Sequence, residues 1–157
     1  MNDNFLTEWM LGGKTPSNYF LYNTFEINGI NKFVHYLHSI QKIEGYGVVF
    51  CFLNKNLYLG KRIKLSGMIR TKSIQEYADL WIRGEKPNDL WEVKSLECEP
   101  IKEKESWKEY SIIVDIPIDV KRLSVGLTLK GEGHIWFHSM KVEIIKGKKY
   151  SIVALFR

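Results

Sequence analysis

From Lys61 to Ile145 the chain alternates apolar and polar positions in short runs separated by clusters of Gly, Pro, Asn and Asp. RIKLSGMIRT, ADLWIRG, EYSIIVDIP, RLSVGLTLKG and HIWFHSMKVEII follow a period of two rather than 3.6, the signature of strands with one face buried. Upstream, YFLYNTFEI, KFVHYLHSI and GYGVVFCFL are further strand candidates, separated by turn formers such as NGIN, and LWEVKSLE follows the turn EKPND. About nine strands at this spacing, with no long helical period, predict two packed antiparallel sheets. The expected fold is all-β, a two-sheet antiparallel β-sandwich with jelly-roll topology. It spans residues 1–157 as one domain with an irregular N-terminal arm over about 1–18, and the tail KKYSIVALFR adds an edge strand or packs across the sandwich. Parity places Leu80, Ile82, Ile112, Val114, Val125 and Leu127 between the sheets.

Composition changes this picture little. With 45% hydrophobic, 13% aromatic and 26% charged residues, the chain is an ordinary globular sequence with aromatic surface to spare. The formal charge of +5 raises the question of an acidic partner. The bases are dispersed, however, and interleaved with Glu97, Glu99, Glu103 and Glu105; only Lys146, Lys148 and Lys149 cluster. The reading is a solvated surface and no nucleic-acid partner. The longest apolar stretch, Val48 to Leu53, falls far short of the roughly 20 residues that cross a bilayer, and the N-terminus lacks a signal-peptide core. No membrane association and a cytoplasmic location are expected. Cys51, inside VVFCFL, reads as a small buried hydrophobe, and a cytosolic address argues against a bridge to Cys98.

The segment from Gly60 to Glu143 carries a resemblance. GKRIKLSGMIRT, YADLWIRG, SWKEYSIIVDIP and LSVGLTLKGEGHIWF, with EWMLGGKTPSNY upstream, resemble the galactose-binding-like jelly-roll domains found alone or attached to bacterial transcriptional regulators. Related sandwiches in carbohydrate-binding modules hold sugars on the concave sheet, so the resemblance implies a carbohydrate or similar small polar ligand there. Where many of these domains carry a pair of Asp residues after the last aromatic segment, this chain has His138 and Ser139.

Sugar recognition needs flat apolar rings beside a few fixed donors and acceptors. In YADLWIRG, Ala78, Leu80 and Ile82 share the core face, leaving Tyr77, Asp79, Trp81 and Arg83 on the other. In the last strand His134, Trp136 and His138 share a face, yet Met140, Val142 and Ile144 have the same parity. Two readings stand open: Trp136 is core, or a bulge near His138 and Ser139 reverses the register. Tyr36 joins Trp81, Arg83, Asp79, His134, Trp136 and His138 as the candidate ligand-binding set.

Metal binding by histidine fails on spacing. His134 and His138 lie roughly 13 Å apart along an extended strand, and His35 and His38 point to opposite faces. No cofactor is expected. Nucleophile elbow, P-loop, dinucleotide fingerprint and H-E-x-x-H are all missing, and Asp79, Glu92 and Asp115 show no convergence in the sequence. The expectation is a non-catalytic binding module, with a protein-interaction or sensor domain associated with a regulator as the alternative. An enzyme with an unrecognised carboxylate pair ranks third.

Overall fold

The fold follows from strands that each offer one apolar face. In the computed structural model, which describes residues 5–26, 32–40, 44–94, 101 and 106–146, ten strands run in chain order. They are β1 (Met10–Gly12), β2 (Tyr19–Glu26), β3 (Lys32–Ser39), β4 (Tyr46–Leu53), β5 (Arg62–Lys72), β6 (Tyr77–Lys86), β7 (Asp89–Lys94), β8 (Lys108–Asp115), β9 (Arg122–Lys130) and β10 (His134–Ile144). Sheet I has the order β1-β4-β9-β6-β7 and sheet II the order β2-β3-β10-β5-β8. All pairings are antiparallel. The chain is an all-β jelly-roll sandwich. The short strand β1 lies inside the stretch expected to be irregular, and the tail read as a further edge strand lies outside the described residues, as does Cys98.

Between the sheets, Leu80, Ile82, Val125 and Leu127 from sheet I meet Leu37, Ile63, Leu65, Ile69 and Phe137 from sheet II, all at most 1% exposed. Ile112 is buried with them and Val114 is half-buried against the same core. Cys51 points inward, and burial pushes its thiol up to about 12, which leaves it an unreactive hydrophobe.

The open question in β10 is resolved by a bulge. The register against β5 runs regularly to His138↔Met68 and resumes at Lys141↔Ser66, with Ser139 between them at φ 53°. That extra residue reverses parity. Trp136 and His134 face outward, whereas Met140 and Val142 enter the core. Gly67 makes room for the redirected Met140, whose Sδ stands 1.8 Å from where a Cβ would be.

Candidate functional site

The outward positions of three adjacent strands in sheet I form a grid. Tyr77, Asp79, Trp81, Arg83 and Glu85 alternate with the buried Ala78, Leu80 and Ile82 along β6. The registers place Tyr46, Lys130 and Tyr77 in one row, then Val48, Thr128 and Asp79, then Phe50, Gly126 and Trp81. Phe52, Ser124 and Arg83 form the next row, and Arg122 and Glu85 close the series. Successive rows are two residues apart, so the grid runs for roughly 26 Å along the strands. Over it lies a cleft of about 520 Å³.

Gly126 determines how Trp81 sits. A Cβ there would stand 2.3 Å from Cζ2 of the indole and 2.6 Å from the Val49 carbonyl oxygen, so the ring lies across β9 at the one place where the strand has no side chain. Its Nε1–H donates to Thr128 Oγ1 at 3.0 Å. At 6% exposure, Trp81 is the floor of the cleft rather than a free-standing platform. More accessible rings flank it, Tyr46 at 37% and Phe52 at 47%. The Arg122 guanidinium lies 4.8 Å from the Phe52 ring and pairs with Glu85 at 2.9 Å. At the opposite end the Lys130 ammonium lies 5.6 Å from the Tyr77 ring and 3.4 Å from Glu76. Asp79, Arg83, Ser124 and Thr128 put donors and acceptors between these ends.

The seven candidates read from the sequence divide between two faces. Asp79, Trp81 and Arg83 line the cleft of sheet I. Tyr36, His134, Trp136 and His138 belong to β3 and β10 of sheet II, on the far side of the core. One ligand cannot touch both sets. Trp136 also differs from the expected stacking platform, because its ring lies parallel to Tyr36 at 4.7 Å and 2°, with the Arg70 guanidinium 4.6 Å from its centroid. His138 is 6% exposed; its ring stands edge-on to Trp107 at 4.5 Å and its Nδ1 is 2.9 Å from Ser139 Oγ.

Several cleft residues escaped the sequence reading. Phe50 and Phe52 lie in VVFCFL, where apolar residues occupy both faces and no alternation marks the outer one. Ser124, Gly126 and Thr128 did leave a signal, small or polar residues at every second position of β9 between Leu123, Val125, Leu127 and Leu129. Among the described residues no group of three or more His, Cys, Asp or Glu side chains could hold a metal ion, and no helix is long and apolar enough to cross a membrane.

No family model matches the chain. Over 138 residues it is 30% identical to the uncharacterized HTH-type transcriptional regulator YbfP of Bacillus subtilis, a match covering 86% of this chain and 47% of the regulator. The chain therefore spans about half the length of this curated relative. Among solved structures it is similar to the CBM22-1 xylan-binding domain of Xyn10C from Paenibacillus barcinonensis, with a TM-score of 0.67 at 12% identity over 89% of this chain and 87% of that one. The enzymatically active domain of tailspike protein 4 from bacteriophage CBA120 gives a TM-score of 0.67 at 11% identity, over 87% of this chain but 19% of that one. The chain thus has the fold of the carbohydrate-binding-module sandwiches, and the resemblance carried by Gly60 to Glu143 holds at the level of fold.

Proposed function

We propose that this domain binds a saccharide along the cleft of sheet I and does so without turnover. The observation that carries the reading is the grid itself: rings at both ends and on the floor, with hydrogen-bonding side chains of β6 and β9 between them. Such a surface offers apolar faces to the C–H side of pyranose rings and fixed partners to their hydroxyls. Its length suits several linked sugar units. The shared fold with a xylan-binding domain supports the ligand class.

Two features support binding rather than hydrolysis. Asp79 and Glu85 face the same cleft but stand six residues apart on one strand, roughly 20 Å, whereas glycosidase carboxyl pairs lie about 5 to 9.5 Å apart. Glu85 is also engaged by Arg122 at 2.9 Å. In this reading Trp81 is the floor, Arg83 and Asp79 hold hydroxyls, and the domain acts in the cytoplasm.

Calorimetric titration with xylo-oligosaccharides and mixed-linkage glucans tests the proposal. Saturable binding is expected, weakened at least about tenfold in Trp81→Ala and in Arg83→Gln, the loss of one charged hydrogen bond or one buried ring. Absence of binding across neutral and acidic oligosaccharides would overturn it.

A second reading has its own support, since the match to about half of an HTH-type regulator suits a sensor domain that reports ligand occupancy to a protein partner. A partner captured with the saccharide bound and released without it would favour that role.

A further inference from the structure

The outer face of sheet II is built differently from the cleft. Registers place Tyr22, Tyr36, Trp136 and Arg70 in one row across β2, β3, β10 and β5, and Phe20, His38, His134 and Lys72 in the next. Tyr36 and Trp136 are parallel at 4.7 Å, and Arg70 lies between Trp136 and Trp107, with its guanidinium carbon 4.6 and 5.1 Å from the two rings. In the second row the His38 and His134 rings stack at 5.8 Å and 15°, and the Tyr36 hydroxyl meets His134 Nδ1.

Stacking consumes the ring faces. A sugar needs a free face, and those of Tyr36 and Trp136, which line the centre of the sheet, are covered by the ring or guanidinium of the adjacent strand, whereas Phe20 and Tyr22 on the edge strand stay exposed. What remains outward is a row of ring edges, the electropositive rim of the aromatic quadrupole. Arg70, Lys72 and the two imidazoles add cationic or protonatable groups, and among the described residues neither row contains a carboxylate. Glu109 stands one row further on, opposite Met68, and Glu143 is paired with Lys141 at 2.9 Å. The field is felt locally: burial first, then His38 and Lys72, holds the His134 imidazole below its ordinary value. Against Trp136, Arg70, Thr71 and Lys72 lies a second cleft, of about 310 Å³.

We infer that this second cleft is a site for a small anionic ligand, a phosphate, sulfate or carboxylate group held by Lys72 with Arg70 and seated against the edge of Trp136. The site is independent of the saccharide cleft, because the hydrophobic core separates the two sheets. Stacking between two indoles orients the Arg70 fork without requiring the ligand to order it. Lys72 is exposed and supplies the mobile charge.

Titration of the 15N-labelled full chain tests this through its indole N–H signals. The probes are inorganic phosphate, glucose 6-phosphate and glucuronate, against glucose and sodium chloride at matched ionic strength. The expected result is a saturable shift of the Trp136 and Trp107 signals with the anionic probes only, leaving the Trp81 signal in place. Lys72→Gln, on the surface, is expected to weaken the response about tenfold or more, the usual cost of one charge-assisted contact. Tighter binding of glucose 6-phosphate than of phosphate would identify a sugar phosphate as the ligand; equal binding would identify the free oxyanion, and preference for glucuronate a sugar acid. Shifts no larger than those with chloride, or a Lys72→Gln response equal to wild type, would overturn the inference.

Discussion

Gly126 shows how one missing side chain positions a ring in the cleft. Because a Cβ would overlap both the Trp81 indole and the Val49 carbonyl, Gly126→Ala has to lift the indole off β9 or spread β4 from β9. The variant is expected to fold with a lowered melting temperature, to shift the Trp81 indole signal, and to lose about tenfold or more in saccharide affinity. Unchanged affinity would mean that the position of Trp81 does not matter to the ligand. A second residue reports through pH. His35 faces inward, stacked on Phe137 at 5.0 Å and edge-on to Trp9 at 6.2 Å, and burial pushes its imidazole below the ordinary 6.5. The folded chain therefore binds the proton more weakly than the unfolded chain. Its contribution to stability is complete above the unfolded value and is lost as pH falls through the folded one. Melting temperature is expected to drop from about pH 7.5 to about pH 5, with a smaller drop in His35→Phe, the remainder including the His134 contribution.

At the scale of the strand, legibility depended on whether one face or two carry apolar residues. β6 and β9 alternate apolar core positions with others, and β8 does so but for the exposed Ile113, so their core faces could be read directly; Leu80, Ile82, Ile112, Val125 and Leu127 are buried where parity puts them and Val114 is half-buried there. β4 is apolar on both faces because its outer face lines the cleft, and its contribution to the site was invisible for that reason. β10 alternates in two segments out of phase, which sequence could pose as an alternative but not decide, since a bulge is a property of pairing. Which residues share a site is likewise a matter of strand order: YADLWIRG and HIWFHSM look alike, yet they belong to different sheets. The bulge makes its own prediction. Deleting Ser139 would restore a continuous period and turn either Met140 and Val142 or His134 and Trp136 to the wrong side, so the variant is expected to lose cooperative unfolding. A deletion variant with the wild-type melting curve would show that Ser139 does not set the phase of β10.

For the whole molecule, the arrangement is two outer faces with differently arranged rings and charges on one apolar core. Sheet I presents rings together with both signs of charge, its Glu85 and Arg122 already paired, which suits neutral, hydroxyl-rich ligands. Sheet II presents stacked rings and cations in the rows of Trp136 and His134, with carboxylates such as Glu109 and Glu143 further along its strands. Groups on opposite sides of a packed core share no side-chain partners, and separated sites normally act additively. Saturating the cleft with oligosaccharide is therefore expected to leave phosphate affinity at Trp136 unchanged, and Trp81→Ala is expected to remove only the saccharide response. Competition between the two ligands would place them on one surface and contradict the division of faces. Cooperativity without competition has a different meaning: the sheets would have two packings with different affinities, linked through buried residues such as Leu37, Leu80 and Phe137. Leu80→Ala separates these cases, since a core truncation costing about 2 to 5 kcal/mol lowers the melting temperature in either but alters the coupling only in the second. The rigid, fully buried contacts around Leu80 favour the first outcome, two independent affinities in a uniformly less stable protein.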